Sequence, residues 1–233
     1  MKKIPNGSID FICSDFPYNI SNNGWLTIRG NKIVKADFGE WDKWDSPQEY
    51  IDFVFEVCNE YKRILKPNAS MVLFFGYQYS WWLAYEMQRR WLFTFRTPII
   101  FNKTNPQLHY RKTWFRSCIE TWVWLVNDWW NFSKPRTFNF LSQSKMKNVL
   151  NYEIWRNKQS NYLTEKHEFL IGELIEVFSN PNDIVLDSFA GGGTTWIASY
   201  KKWRNCISIE REFWFIKTIK ERQLRAEKKK AAI

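Results

Sequence analysis

The stretch Ile184-Val-Leu-Asp-Ser-Phe-Ala-Gly-Gly-Gly-Thr-Thr195 predicts a buried strand, a glycine turn and the first turn of a helix. Its first three residues form a short apolar run of the kind that buried parallel strands use. The glycines at 191–193 let the backbone turn sharply and come close to a ligand. Ligands of open α/β sheets bind at this carboxyl end of the strands, but a glycine turn alone is weak evidence for a site.

The rest of the chain alternates predicted strands and helices. Strand patterns cover residues 8–13, 70–76, 92–101, 119–126, 183–186 and 205–209, and helix patterns cover residues 46–65, 79–90, 168–178, 194–202 and 212–228. This alternation predicts a single α/β domain over residues 1–233, with a Rossmann-like, doubly wound and mostly parallel sheet covered by helices on both faces. Residues 22–35 show no period and predict a mobile loop. Pro98 predicts a bulge or a sheet edge in the third strand.

Composition limits the partners and the compartment. The 233 residues include 34 Lys and Arg against 24 Asp and Glu, a formal net charge of +10. A solvated basic surface and a nucleic-acid partner both account for this excess. The four scattered cysteines and two histidines show no metal-ligand spacing, so we expect neither disulfides nor a metal site. Because the sequence has no signal peptide and no apolar run of membrane length, we expect a soluble, cytoplasmic protein without membrane contact.

A second motif, Asp15-Phe-Pro-Tyr18, directly follows the first predicted strand and therefore belongs at the same edge of the sheet. It offers a carboxylate acceptor, a backbone carbonyl on a rigid proline and two aromatic rings. These groups can hold a planar ring that carries an exocyclic amine. A strand-ending turn with core aromatics is the alternative, and the residues by themselves favour it.

The two motifs together, in this order, resemble the signature of the beta-class amino DNA methyltransferases. The similarity extends over nearly the whole chain, through segments at 5–20, 37–42, 101–106, 164–167 and 179–187 and at Glu120. The resemblance implies methyl transfer from S-adenosylmethionine to an amino group of a base in double-stranded DNA.

The catalytic motif implied by the resemblance comprises Asp15, Phe16, Pro17 and Tyr18. The target base would be flipped out of the duplex and stack on Tyr18, with Phe16 as a second stacking ring. Asp15 and the Pro17 carbonyl would accept the amino hydrogens and direct the nitrogen lone pair at the methyl group. Transfer would be direct, without a nucleophilic cysteine.

The same resemblance implies a cofactor site. Thr164 and Lys166 would hold the carboxylate of S-adenosylmethionine, and Glu210 would accept from its ribose hydroxyls. A helix N-terminal charge is the alternative role for Glu210. The remaining implied contacts are Asp187, Phe189, Ala190, Gly191 and Gly193.

Methylation within a duplex requires phosphate anchoring and base readout. One candidate DNA surface comprises Lys103, Asn105, Arg111, Lys112 and Arg116. The basic, Asn- and Ser-rich segment 127–163 is the other, and we assign target recognition to it because a loop of that length is usually functional or disordered. An ordinary basic loop is the alternative.

Several features depart from the family pattern. Phe16 stands where the family has its first proline, while Ser188 and His167 each replace another proline. A strand that usually precedes the catalytic motif in the family has no counterpart in the sequence. Asp15, rather than Ser, at the first position of the motif favours adenine N6 as the target. A cytosine-N4 enzyme and a non-catalytic DNA-binding relative remain open, whereas a dehydrogenase fits less well because the glycine motif comes late. The resemblance also implies a homodimer, and a cognate restriction endonuclease stays open.

Tryptophan is unusually frequent, at 15 residues against 9 glycines. Trp91, Trp203 and the Trp129-Trp130 pair stand where a positive φ or little bulk is expected, since the first two directly follow predicted helices. The family often has glycine at positions resembling Trp91, Trp196 and Trp203. Our hypothesis is that the natural protein has glycine at several of these positions, through a stop-type codon that is read as glycine. Genuine tryptophans that serve as surface or DNA-stacking rings are the alternative.

Overall fold

The computed structural model describes residues 1–19, 21, 26–29, 32–35, 39–106, 115–128, 134–154 and 165–231. The strands are β1 (Ile9–Asp15), β2 (Leu26–Arg29), β3 (Lys32–Lys35), β4 (Leu65–Phe74), β5 (Thr94–Lys103), β6 (Ile119–Val126), β7 (Val149–Tyr152), β8 (Ile184–Asp187) and β9 (Asn205–Ser208). The helices are α1 (Pro47–Ile64), α2 (Tyr77–Arg89), α3 (Glu168–Phe178), α4 (Thr194–Lys201) and α5 (Phe213–Ala231). A short 3₁₀ turn covers Glu40–Asp42.

The main sheet has seven strands in the order β7-β5-β6-β4-β1-β8-β9. Pairing is parallel between β4, β1, β8 and β9 and between β5 and β7, whereas β6 runs antiparallel to both of its neighbours. The first residues of β6 therefore lie at the same edge as the last residues of the other strands.

Hydrophobic side chains are buried on both faces of this sheet. Ile12 packs in a cluster with residues of α1 and α2, and its strand neighbours Phe11 and Cys13 pack with residues of α3. Successive residues of β1 thus enter opposite cores, as expected for a strand with helices on both sides. The predicted Rossmann-like α/β fold is confirmed.

The α1 helix and the irregularity of β5 follow from the sequence. Ser46 caps α1 by accepting a hydrogen bond from the Glu49 N–H, and Pro47 occupies the first helical position. The third predicted strand has the expected irregularity, which falls between Phe95 and Thr97.

Two expectations about irregular segments were wrong. The predicted loop at 22–35 contains the antiparallel hairpin β2–β3. The segment 127–163, which was expected to lack regular structure, contributes β7, and this strand pairs with the end of β5. Consequently β5 is not the sheet edge that Pro98 suggested. Pro98 is tolerated because the β7 ladder begins only at Ile100, so the missing N–H of proline removes no bond of that ladder.

Two tryptophans occupy the left-handed region of backbone conformation, with φ of 58° at Trp91 and 62° at Trp203. Each follows a helix that ends in a Schellman motif. The Trp91 and Leu92 N–H groups donate to the carbonyls of Gln88 and Met87, respectively. After α4, the Trp203 and Arg204 N–H groups donate to the carbonyls of Tyr200 and Ser199 in the same way. Glycine is the usual residue at this position because a β-carbon is strained there. The predicted positive φ is therefore confirmed at both sites.

Replacing Trp91 or Trp203 with glycine is expected to raise the free energy of unfolding by about 1 kcal/mol per site, since the left-handed conformation costs a residue with a β-carbon roughly 1–2 kcal/mol. Both indoles are largely exposed, at 60% and 63%, so little packing is lost. Urea unfolding measures the change.

Trp196→Gly is the matched control, because Trp196 lies within α4 and stacks on Tyr200 with ring centroids 5.1 Å apart. Glycine there should destabilise the protein by about 1 kcal/mol. Destabilisation by W91G and W203G, together with ordinary tryptophan codons in the gene, would overturn the hypothesis of natural glycines at these two positions. Trp129 and Trp130 lie outside the described residues.

None of the helices in the described ranges is both long enough and apolar enough to cross a membrane.

Candidate functional site

The carboxyl edge of the sheet brings the two sequence motifs together. Asp15 ends β1, and Asp187 ends the adjacent parallel strand β8. The Ser14 hydroxyl donates to Asp187 Oδ1 at 3.1 Å and so joins the motifs directly. A second bond runs from the Ser188 N–H to the Ser14 oxygen at 3.1 Å. Residues 173 positions apart in the sequence thus form one site.

A cleft opens between the motifs. The cleft is lined by Asp15, Phe74, Glu165, Lys166, Ile171, Asp187, Phe189, Ala190, Gly192, Thr194 and Thr195.

The glycine turn forms one wall of the cleft. Gly191 and Gly193 have φ of 47° and 79°, and Gly193 stands at the N-cap of α4. A β-carbon at Gly193 would lie 2.9 Å from Ile219 Cγ1, so this glycine also permits close packing of α5. Within the described part of the chain, no side chain caps α4. Its first N–H groups therefore face the cleft as donors for a ligand.

Asp187 is a buried carboxylate with an unusual pKa. Burial raises the pKa to about 6, although hydrogen bonds from Thr195, the Phe189 N–H and Ser14 lower it. The nearby Asp15 raises it further. Burial makes it costly to keep this carboxylate ionised. A cationic ligand would stabilise the ionised form, so the position is suited to bind one.

Glu210 follows β9 and binds the glycine turn. Its Oε2 accepts from the Gly191 N–H at 2.8 Å, and its Oε1 accepts from the N–H groups of Arg211 and Glu212, each at 2.8 Å. Glu210 thus accepts hydrogen bonds from the two residues that precede α5, close to the helix N-terminus that the sequence analysis gave as its alternative role. Its predicted contact with ribose hydroxyls stays a prediction, for which each carboxylate oxygen retains acceptor capacity.

Asp15 is the centre of a network of charged side chains. The Tyr18 hydroxyl donates to Asp15 Oδ1 at 2.9 Å, and the Lys166 ammonium lies 3.2 Å from Oδ2. Lys166 Nζ also donates to the Tyr18 oxygen at 2.9 Å and to Glu120 Oε2 at 3.2 Å. Lys103 contacts the other Glu120 oxygen at 2.9 Å.

The network fixes the charge of its members. Burial would lower the pKa of Lys166, but the neighbouring Asp15 and Glu120 carboxylates hold it well above its ordinary value. Burial opposes ionisation of Glu120, yet Lys166 and Lys103 lower its pKa to about 2. The pKa of Asp15 is raised by burial, even though Lys166 opposes this change. An ionised Asp15 with a raised pKa is a strong hydrogen-bond acceptor.

Phe16 does not have the position expected for a base-stacking ring. It is 1% exposed and packs against Phe75 and Phe189, with ring centroids 4.5 and 4.7 Å away. The prediction that Phe16 stacks on the base is therefore not supported, because other rings already cover both sides of it. Instead, Phe16 connects the catalytic motif to the glycine motif through Phe189. Tyr18 is the more accessible aromatic residue of the motif.

Two residues that the sequence did not single out hold the catalytic motif in place. The buried Tyr50 hydroxyl of α1 donates to the Pro17 carbonyl at 2.8 Å. Asp42, 1% exposed, accepts from the N–H groups of Asn19 and Ser21 at 2.7 and 2.9 Å. Tyr50 looked like an ordinary core position of α1, so only its tertiary contact reveals this role.

A buried ion pair lies behind the glycine turn. Arg222 of α5 contacts Glu165 at 2.8 Å, and these side chains are 7% and 2% exposed. Arg222 also donates to the Gly192 carbonyl at 2.5 Å. Glu165 lines the cleft, so the pair joins α5, the turn and the segment before α3. The sequence showed Glu165 within a family-like segment, but nothing in it indicated Arg222 as its partner.

The predicted DNA surface is only partly described. Arg111 and Lys112 lie outside the described residues, as does Thr164 of the predicted cofactor site. Lys103 is paired with Glu120, and the Asn105 side chain accepts from the Ile154 N–H at 2.5 Å. Arg116 is exposed, and its guanidinium donates to the Pro106 carbonyl. Lys103, Asn105 and Arg116 lie near the carboxyl edge, and their contact with DNA stays a prediction.

The start of the segment 127–163 lies at the opposite edge of the sheet. Arg136 lies 3.6 Å from Asp10, near the beginning of β1, and Asn139 donates to carbonyls at the end of α3. Among the described residues of the segment, β7 returns to the carboxyl edge, where its last residue Tyr152 pairs with Lys103. This strand is the outermost of the sheet, four positions from β1.

The protein has a Rossmann-like sheet with a cleft between an Asp-aromatic-Pro-Tyr motif and a glycine turn. These features define its class as that of α/β ligand-binding proteins related to methyltransferases. Residues 9–221 match the family described as DNA methylase. The chain belongs to this DNA methylase family, and the sequence resemblance is confirmed.

Known proteins agree with this assignment. The type II methyltransferase M.HinfI of Haemophilus influenzae is 34% identical over 97% of this chain, which spans 65% of M.HinfI. The crystal structure of the M1.HpyAVI–SAM complex is 24% identical with a TM-score of 0.64, over 95% of this chain and 90% of that one. The PvuII DNA methyltransferase, described as cytosine-N4-specific, is 18% identical with a TM-score of 0.71, over 91% and 78%. The two structures support the fold.

Proposed function

We propose that this protein is a site-specific DNA methyltransferase that transfers a methyl group from S-adenosylmethionine to N6 of adenine. The observation that carries the proposal is Asp15, which lines one cleft together with the glycine turn and accepts a hydrogen bond from Tyr18. One half of the cleft can hold a methyl donor, and the other half presents an acceptor and an aromatic ring for a base.

The residues of the cleft fit S-adenosylmethionine. Asp187 and Glu165 offer carboxylates to its positive charges, and the uncapped α4 offers N–H donors. Phe189, Ala190 and Ile171 offer apolar surface to its adenine and thioether portions. When bound, S-adenosylmethionine supplies an electrophilic methyl group on its sulfonium.

The catalytic motif performs positioning. Tyr18 presents its ring to the flipped base, and the Asp15 carboxylate accepts a hydrogen bond from the amino group. The Pro17 carbonyl, which Tyr50 already holds in place, retains a second lone pair for the other hydrogen. These acceptors turn the nitrogen lone pair toward the donor side of the cleft. The chain contributes alignment and exclusion of water, and alignment alone accounts for large rate factors.

Double-stranded DNA is the proposed partner. The net charge of +10 favours a polyanion. Target recognition is assigned to the segment 127–163, of which β7 reaches the sheet edge that carries Asp15. The family resemblance extends the proposal to a cytoplasmic homodimer with a cognate restriction endonuclease. Sedimentation velocity tests the dimer, and the neighbouring genes test the endonuclease.

A single assay distinguishes the candidate activities. The protein is incubated with unmethylated DNA and methyl-labelled S-adenosylmethionine, and the DNA is digested to nucleosides. Label in N6-methyladenosine is the expected result. Label in N4-methylcytosine would instead assign cytosine N4 as the target. The likeness in fold to the PvuII enzyme, which is described as cytosine-N4-specific, is the reason to test for this product. DNA binding without label would overturn the enzymatic proposal and leave a DNA-binding relative.

A further inference from the structure

Lys166 faces both halves of the cleft. Its side chain is 13% exposed, and the ammonium lies within 3.2 Å of both Asp15 and Glu120 and 2.9 Å from the Tyr18 hydroxyl. Lys166 is also part of the wall that contains Asp187 and Phe189. One flexible cation therefore reaches the base acceptor and the cofactor pocket.

In this state the base acceptor is already engaged. Tyr18 donates to one oxygen of Asp15, and Lys166 lies against the other. An ammonium group at Oδ2 makes the kind of contact that the amino group of a target base would make. The incoming amine must therefore displace a cation that is doubly ion-paired and only 13% exposed. Ion pairs that are shielded from water are costly to break.

Moving Lys166 would leave no carboxylate without a cation or a hydrogen-bond donor. Glu120 keeps its 2.9 Å contact with Lys103 when Lys166 departs. Asp15 keeps the hydrogen bond from Tyr18 and becomes available to an amine. Neither Glu120 nor Asp15 is therefore left as a buried, unpaired charge, which would oppose the movement of Lys166.

We propose that Lys166 is a positioning residue that couples the two half-sites: the carboxylate of the bound cofactor draws its ammonium away from Asp15 and so opens the acceptor for the target base. This inference rests on the proposed function. It predicts that cofactor and base bind with positive cooperativity and that the amino acid end of the cofactor is responsible. Glu120 supplies the anchor that keeps the lysine between the two sites.

The first test needs no DNA. S-Adenosylhomocysteine has the amino acid carboxylate, and 5′-methylthioadenosine shares its adenosine and thioether but lacks that carboxylate. Titration calorimetry should show that the wild-type protein prefers S-adenosylhomocysteine, with a preference that K166M reduces on the order of tenfold. The matched control is K201M, which removes an exposed lysine that pairs with Glu168 outside the cleft. K201M should retain the preference, and thermal unfolding checks that both variants fold.

The second test measures the coupling. A duplex with 2-aminopurine at the position that the methylation assay identifies reports base flipping by fluorescence. S-Adenosylhomocysteine should tighten binding of this duplex on the order of tenfold in the wild type and in K201M, within the usual range of allosteric coupling, and by less than about twofold in K166M. 5′-Methylthioadenosine should have no such effect.

The outcomes separate the two proposals. Equal coupling in K166M and the wild type, or equal effects of the two nucleosides, would overturn the role of Lys166. Absence of DNA methylation together with an intact preference for S-adenosylhomocysteine would overturn the proposed function and the coupling, while binding of the carboxylate by Lys166 would stand.

Discussion

Methyl transfer by the Asp15→Asn variant is expected to be roughly a thousandfold slower than in the wild type, in line with the loss of a positioned proton acceptor. Asparagine keeps the size of the side chain but replaces one acceptor oxygen by an N–H₂ donor. That donor would face the Lys166 ammonium or the amino group of the base, and neither can accept its hydrogen bond. The variant should therefore misalign the nucleophile rather than unfold the protein.

Steady-state kinetics with labelled S-adenosylmethionine measures this effect. The loss should fall mainly on kcat, and the affinity for S-adenosylhomocysteine should stay within about threefold of the wild type, because Asp15 belongs to the base half of the cleft. Asp52→Asn is the matched control, since Asp52 is exposed on α1 and bonds only to the Gln48 side chain among the contacts described. Activity of D15N within about tenfold of the wild type would contradict the assigned role of Asp15.

The Asp187→Asn variant is expected to be more stable than the wild type by about 2–3 kcal/mol at pH 8. The folded protein raises the pKa of Asp187 from 3.8 to about 6, mainly through burial. Each tenfold change in an acid dissociation constant corresponds to about 1.4 kcal/mol, and ionisation above pH 6 therefore opposes folding. Asparagine accepts the same bonds from Ser14 and the Phe189 N–H but has no charge to bury.

The sign of this effect depends on pH. A folded pKa above the unfolded pKa contributes stability that is fully present below about pH 3.8 and lost as the pH rises through about 6. The advantage of D187N should consequently shrink as the pH is lowered from 8 to 4.

Urea unfolding at four pH values measures this trend, with Asp183→Asn at the other end of the same strand as a control that should bring no gain. A D187N variant no more stable than the wild type at pH 8 would refute the prediction. If it is more stable, the wild-type carboxylate is retained at a cost in stability, which is typical of a functional site.

Much of the fold could be predicted from the sequence. The boundaries of α3 and β6 agree with the predicted ones, because their hydrophobic periods are regular and their ends are marked by polar residues. The hairpin strands β2 and β3 and the strand β7 escaped prediction, since each has only four residues and so shows little periodicity. The reversed direction of β6 also escaped, because strand direction depends on connections and not on composition.

The candidate site divides in the same way. The sequence determined which groups are the candidates for the chemistry: Asp15, Tyr18 and the glycine turn at 191–193 are local motifs, and the positive φ at Trp91 and Trp203 follows from their place after helices.

Only the tertiary structure decided how these groups act together. It buried Phe16, placed Lys166 against Asp15, and brought Glu120 to Lys166 through the antiparallel β6. The physical reason is that capping and turn preferences depend on neighbours in sequence, whereas ion pairs, burial and pKa values depend on groups that only the folded sheet brings together.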